Sequence, residues 1–281
     1  MAGAPRGVRG AEDRVKPYYE EAGITIYHGD CREVLPTLGQ VDLVLTDPPY
    51  GVGKEYAGSF IDSLDEVKVL YRAFIPACVA ISRAVLTTIG CYELELFLYR
   101  ELPPRWRICW RKGITSRPSA IGFTDWEPVF VYGADVHRHS HDLFTVQPEL
   151  LGSFGHPCPK PVGFSSWLIS RFSSESGPVL DPFMGSGTTL VAAKQLGRRA
   201  IGIEIEERYC EIAAKRLAQS VMDFGLPEPV AEQLALTTET DRLRADQRAA
   251  IPAAIAGDRG ARLGIADCLA EELLIEEERG A

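Results

Sequence analysis

Apolar and β-branched residues cluster in short runs at 24–28, 41–46, 84–89, 106–110, 128–132, 178–180 and 200–203. Each run is strand-sized, and several are apolar at nearly every position, as strands covered on both faces are. The longer stretches between them, at about 62–82, 92–99, 161–172, 188–196 and 206–219, mix polar and apolar residues at helical spacing. In 161–172 a proline, tolerated in a first helical turn, precedes Val162, Trp167, Leu168 and Phe172 on one helical repeat. Strands alternating with helices predict an α/β fold: seven strands in a mostly parallel sheet with helices on both faces.

The run at 41–46 ends in Thr46-Asp47-Pro48-Pro49-Tyr50-Gly51. The two prolines lack N–H groups and hold the residues before them extended, so the strand stops in a rigid lip. Open α/β sheets place their ligands at such carboxyl ends of central strands. A carboxylate, fixed backbone carbonyls and a tyrosine ring together suit an exocyclic amino group on a flat ring. The oxygens accept its hydrogens while Tyr50 stacks on the ring face. Asp-Pro alone marks no more than a strand-end turn with a surface acid; the full combination behind a buried strand carries the chemistry.

A second strand, at 178–180, ends in Asp181-Pro182-Phe183-Met184-Gly185-Ser186-Gly187-Thr188-Thr189. Glycines let the backbone approach a ligand closely, and the helix that starts here offers unpaired N–H groups. About twenty residues on, the run at 200–203 ends in Glu204, an acid suited to the two hydroxyls of a ribose. Gly-x-Gly with a spaced acid points to a nucleoside cofactor. No Gly-Lys-Ser/Thr follows, which argues against a phosphate loop. The third glycine of a dinucleotide fingerprint is missing, with Thr189 or Leu190 near its place.

These two islands, in this order, resemble the amino-directed DNA methyltransferases of the permuted β class, in which the catalytic half precedes the S-adenosylmethionine-binding half. Tyr27-His28-Gly29-Asp30, Trp110-Arg111-Lys112, Trp126-Glu127-Pro128 and His156-Pro157-x-x-Lys160-Pro161 also match, in family order between about 24 and 217. The resemblance implies a Rossmann-like fold and direct methyl transfer to an exocyclic nitrogen, with no covalent intermediate and no metal. It makes Asp47, Pro48, Pro49 and Tyr50 catalytic: Asp47 and the Pro48 carbonyl accept the amino hydrogens, and Tyr50 stacks on a base flipped out of duplex DNA. It assigns Asp181, Phe183, Gly185, Gly187 and Thr188 to the methionine and sugar portions of the cofactor and Glu204 to the ribose. Asp30 would lie near the adenine and Lys160 near the methionine end. Asp30 also reads as the N-cap of a short helix at 31–35, and both roles can hold.

Asp-Pro-Pro-Tyr is the usual form among adenine-N6 enzymes, so adenine in DNA is the expected target, with cytosine N4 as the alternative. RNA or a protein amide fits the permuted order less well. Only 133–155 separates the last catalytic strand from the His-Pro-x-x-Lys-Pro helix, too short for an independent recognition domain. Sequence readout then falls to glycine-, serine- and proline-rich loops at 51–61 and 113–126, or to the tail. That fits an orphan or phage-type modifier better than a long-site restriction partner, and a homodimer is left open.

Charge refines the picture. The net charge is −9, but residues 219–281 hold 13 acids against 6 arginines, while 1–218 hold 26 acids and 24 bases. Arg100, Arg105, Arg107, Arg111, Lys112 and Arg117 share a window with one acid, Glu101. Local patches decide phosphate attraction, and Arg111, Lys112 and Arg117 are the expected DNA contacts; the bland alternative is a solvated basic loop. The seven cysteines are scattered and never spaced Cys-x-x-Cys, which fits a reducing, bacterial or phage-related cytoplasm rather than a disulfide framework or a zinc site. His137, His139 and His141 lack a partner set for a metal and read as a solvated loop. No apolar run approaches membrane-helix length and no secretory signal is visible. The expected organisation is an extension at 1–20, a methyltransferase domain at 21–222 and an acidic, helical tail at 223–281.

Overall fold

A computed structural model describes residues 15–53, 62–112, 117–118, 123–133, 141–146 and 160–219. The first 14 residues, much of the two loops at 51–61 and 113–126, His137, His139, His156 and the tail from 220 lie outside the described residues.

The all-apolar runs become the middle of the sheet. Strand β3 (Val41–Thr46) is buried at all six positions, because helices cover both its faces. Its parallel neighbours are β4 (Ser82–Thr88) on one side and β10 (Val179–Asp181) on the other. Beyond β10 lie β11 (Ala200–Glu204) and β2 (Ile24–His28), both parallel to it. Beyond β4 the direction reverses: β8 (Trp126–Gly133) pairs antiparallel with β4 and with β5 (Trp106–Arg111). The late strands β10 and β11 are thus inserted between the early strands β2 and β3. That insertion makes the two acid-bearing strand ends neighbours.

All seven expected strands are present, and the sheet carries two more at its edges, β1 (Tyr19–Glu21) and β9 (Leu143–Thr145). Each edge strand is three residues long, too short for a period to show, and only Phe144 of the six residues is buried. Among the described residues the sheet therefore has nine strands rather than seven, with five of its eight neighbouring pairs parallel. A separate ribbon pairs β6 (Arg117–Pro118) with β7 (Phe123–Thr124).

Helix α1 (Cys31–Val34) follows β2; α2 (Leu64–Ile81) and α3 (Tyr92–Glu101) flank β4; α4 (Val162–Phe172), α5 (Thr188–Gln195) and α6 (Glu207–Ala218) belong to the second half. Helix α2 starts where the Ser63 hydroxyl accepts from the Glu66 N–H at 3.3 Å. It buries Val67, Leu70, Tyr71, Phe74, Ile75 and Cys78, one stripe at i, i+3, i+4 spacing. Helix α4 is buried nearly all round, against β3 and α5, which explains its aromatic content. The described residues fall within one unit, Met1–Ala231, and none of their helices is long and apolar enough to cross a membrane.

Candidate active site

The lip after β3 is pinned from behind. Asp62, just ahead of α2, accepts the Gly51 and Val52 N–H groups at 2.8 and 3.2 Å. Gly51 sits at φ +76°, and a Cβ there would stand 2.7 Å from the Leu64 Cα, so only glycine fits. On the lip, three donors converge on one oxygen of Asp47, Oδ1: the Tyr50 hydroxyl, the Thr88 hydroxyl and the Lys160 ammonium at 3.2 Å. Among the described residues Oδ2 receives none. Burial pushes the Asp47 carboxyl up, but the Lys160 charge and the hydroxyl donors outweigh it, and the group lies below its ordinary value of 3.8. Burial and the Asp47 charge push the Tyr50 phenol well above 10.0, so Tyr50 stays a donor. The Tyr50 ring lies over Gly90, where a Cβ would come within 2.5 Å of two ring carbons.

The loop after β10 is built differently. The Asp181 carboxylate points back into the fold, accepting from the Thr46 hydroxyl at 2.7 Å and the Phe183 N–H at 3.1 Å. Burial raises it to about 6, opposed by its hydrogen bonds to Thr189, Thr46 and Phe183 and helped by the nearby Asp47 charge. Glu204, at the end of β11, accepts from the Gly185 and Glu206 N–H groups, both at 2.9 Å, and burial raises it to about 7. Gly185 and Gly187 take φ of +50° and +81°. A Cβ on Gly187 would stand 2.8 Å from the Ala213 Cβ, so this glycine is demanded by the α5–α6 packing. Phe183 meets Phe74 edge to face at 5.0 Å. From α6, the Arg216 guanidinium donates to the Ser186 carbonyl at 2.7 Å, the Ser186 hydroxyl at 3.1 Å and the Thr188 hydroxyl at 3.3 Å, tying the loop down.

The two regions share one cavity of about 60 Å³, lined by Thr46, Asp47, Thr88 and Lys160 on one side and by Asp181, Phe183, Met184, Gly185, Ser186 and Thr188 on the other. The Thr46–Asp181 hydrogen bond joins the two strand ends directly. Six of the twelve expected catalytic and cofactor residues line the cavity, Asp47, Lys160, Asp181, Phe183, Gly185 and Thr188; Pro48, Pro49 and Gly187 are not in its lining, and Tyr50 joins through its bond to Asp47. Glu204 reaches the cavity through Gly185. Asp30 is one step further out: it caps α1, accepting the Arg32 N–H at 2.8 Å, and pairs with the Arg32 side chain. It lies two residues past His28, the register partner of Glu204, and Gly29 between them donates its N–H to the Glu204 carbonyl at 2.9 Å.

The expected DNA contacts divide. Arg111 is exposed, Lys112 is committed to an ion pair with Glu127, and only the backbone of Arg117, in the β6–β7 ribbon, is described. Thr46, Thr88, Gly90, Glu127 and Arg216 went unassigned in the sequence. Their one signal is position: Thr46 and Thr88 close strands β3 and β4 at the same edge of the sheet, and Glu127 lies within the Trp126-Glu127-Pro128 match.

A half-buried carboxylate thus stands across one cleft from a glycine loop whose backbone is held by a strand-end acid. A family model described as a DNA methylase of the N6/N4 type matches residues 125–215. The Escherichia coli K12 protein named "Putative methylase YubD" is 33% identical over 218 residues, covering 70% of this chain and 92% of that one. The type II methyltransferase M.ScaI of Streptomyces caespitosus is 28% identical, covering 72% and 84%. Among solved structures, the M1.HpyAVI–SAM complex superposes with a TM-score of 0.53 at 26% identity, covering 69% of this chain and 99% of that one. The cytosine-N4-specific PvuII DNA methyltransferase shares the fold with a TM-score of 0.59 at 16% identity, covering 77% and 93%. The chain belongs to the N6/N4 DNA methylase family.

Proposed function

We propose that the chain methylates the exocyclic N6 of adenine in duplex DNA, with residues 21–222 carrying the reaction. The coarser activity, methyl transfer to DNA from S-adenosylmethionine, is that of its family. One observation carries the reading. The Asp47 carboxylate and the Gly185 loop line the same cavity, from the ends of two adjacent parallel strands.

The residues fit the donor. Glu204 would offer its carboxylate to a ribose, the positive-φ glycines bring backbone close, and the Lys160 ammonium, though already bound by Asp47, Glu127 and Tyr50, adds a positive charge on the cavity wall that suits a carboxylate. S-adenosylmethionine supplies an electrophilic methyl group on a sulfonium. The chain's own work is on the amine. The amino nitrogen of an aromatic base is a weak nucleophile because its lone pair is delocalised into the ring. Asp47 and the Pro48 carbonyl accept its two hydrogens, which favours a pyramidal nitrogen with its lone pair facing the methyl. The Tyr50 hydroxyl now rests on Asp47, so the incoming amine displaces it, and the freed ring stacks on the base. Flipping the base costs a few kcal/mol, and stacking returns about 1–3 kcal/mol. After transfer the nitrogen sheds one proton, for which Asp47 is the adjacent base.

Adenine is favoured by the Asp-Pro-Pro-Tyr form of the lip. Cytosine N4 is the second reading, favoured by the shared fold with a cytosine-N4-specific enzyme and by acceptors that suit either amine. Duplex DNA incubated with the chain and labelled S-adenosylmethionine, then digested to nucleosides and resolved by mass spectrometry, tests both. N6-methyladenine is expected. N4-methylcytosine alone would replace the first reading with the second, and no label in DNA would remove both.

A further inference from the structure

Four charges alternate across the floor of the site: Lys112, Glu127, Lys160 and Asp47. Glu127 does not line the cavity. It bridges two lysines, with Oε1 receiving Lys112 and Oε2 receiving Lys160 at 3.2 Å. Lys160 in turn stands 3.2 Å from Asp47 and 3.3 Å from the Tyr50 hydroxyl. The side chains of Lys112, Glu127 and Lys160 are 12–18% exposed, so solvent screens them weakly. Both ammonium groups also lie near the ring of buried Trp110, at 5.7 and 5.4 Å from its centroid. Trp110 is itself fixed by a hydrogen bond to the Val146 carbonyl at 3.1 Å and by stacking on Phe164 at 4.7 Å.

We propose that Glu127 is a positioning residue for Lys160, and that the Lys112–Glu127 pair sets the charge balance by which the site tells the cationic methyl donor from its neutral product. The inference rests on the methyl-transfer reading. The row sums to zero as it stands. Removing the Glu127 charge leaves two ammonium groups against one carboxylate, an excess that opposes a sulfonium but not the uncharged thioether of S-adenosylhomocysteine. It also removes the carboxylate that draws Lys160 away from Asp47 Oδ1, so Lys160 competes with the target amine there. Removing the Lys112 charge has the opposite sign. One unit charge at a half-buried site changes the affinity for a neighbouring ion by about tenfold.

The test is calorimetric titration of S-adenosylmethionine and S-adenosylhomocysteine into the unmodified chain, Glu127→Gln, Lys112→Gln and the double variant. Circular dichroism checks each fold. In Glu127→Gln the ratio of donor to product affinity falls about tenfold, in Lys112→Gln it rises, and in the double variant it returns to within about twofold of the unmodified chain. Equal weakening of both ligands would reduce Glu127 to packing and overturn the proposal, as would a double variant no closer to the unmodified ratio than Glu127→Gln. If Glu127→Gln does not fold, Lys112→Gln and the double variant decide by the same ratios. The functional reading is scored separately: a chain that binds the donor but labels no DNA overturns that reading while the ratios remain measurable. A chain that binds neither ligand overturns both before any variant is made.

Discussion

The two strand ends that face each other across the cavity carry the same elements, an acid followed by proline, and treat the acid in opposite ways. After β3, a lysine and two hydroxyls surround Asp47 and hold it ionised below its ordinary value. After β10, Asp181 has hydroxyl and backbone donors but, among the described residues, no cation, and burial takes it up to about 6; Glu204, one strand further on, is carried to about 7. Under the proposed function the difference matches what each acid would have to do. An acceptor for a reacting amine has to be ionised whenever the enzyme works, so a counter-charge is built beside it. An acid that orders a loop or grips neutral hydroxyls tolerates a higher pKa, since its partners are dipoles.

The sharpest way to break this comparison is to remove one acid from each side. Asp47→Ala is expected to lower kcat by about 10³-fold or more, because the acceptor works on the reacting nitrogen itself, while the dissociation constant for S-adenosylmethionine stays within a few-fold. Glu204→Gln should do the reverse: cofactor affinity weaker by about 10–100-fold, the range for a hydrogen bond to a charged group, with kcat at saturation changed far less. Steady-state methylation with separate binding titrations measures both. If Asp47→Ala abolished cofactor binding, or Glu204→Gln spared it, the division of labour would be wrong.

A pH series sharpens it next. As pH falls from 8 to 6, Glu204 takes up its proton, and Asp181 begins to, while Asp47 stays ionised. The KM for the cofactor should therefore rise about tenfold with kcat nearly constant. The same protons act on stability with the opposite sign. Glu204 has a folded value of about 7 against an ordinary 4.5, so between these values the folded chain binds a proton the unfolded chain does not. This contribution to stability grows as pH falls through that window and is lost as pH rises through about 7. Denaturant titrations of the cofactor-free chain at pH 6 and 8 measure it. A kcat that fell in step with cofactor affinity would show that Asp47, too, titrates there.

What the sequence showed and what it hid follow from the same strand ends. Asp47, Tyr50, Asp181 and Glu204 were legible because proline or glycine next to an apolar run marks where a strand stops, and the chemistry sits at that stop. Two partners of Asp47 were not legible as such: Thr88 drew no assignment, and Lys160 was expected at the methionine end of the cofactor rather than on Asp47. Thr88 and Lys160 reach it only because β4 lies beside β3 and α4 packs beneath it, and pairing across so many residues leaves no local pattern. Lys112 read as a DNA contact because its window is basic. The antiparallel pairing of β5 with β8 instead sets Glu127 opposite Trp110, within reach of Lys112, and spends the charge inside the fold. Edge strands β1 and β9 escaped because three residues carry no period.

The smallest effect comes from the bond that joins the two regions. Thr46→Val keeps the shape and the β-branch that β3 favours but deletes the hydroxyl donated to Asp181 at 2.7 Å. Asp181 then keeps one fewer donor to its ionised form and moves further up from about 6. Losing a partner from a buried polar group costs about 1–3 kcal/mol, less here because Phe183 and Thr189 remain. Denaturant unfolding at pH 8 should show that loss, and kcat there should fall less than about threefold, since Asp47 keeps all three of its donors. The rise in cofactor KM should begin at a higher pH than in the unmodified chain. If Thr46→Val instead cost as much kcat as Asp47→Ala, the two acids would be acting as one unit, and the contrast between them would not survive.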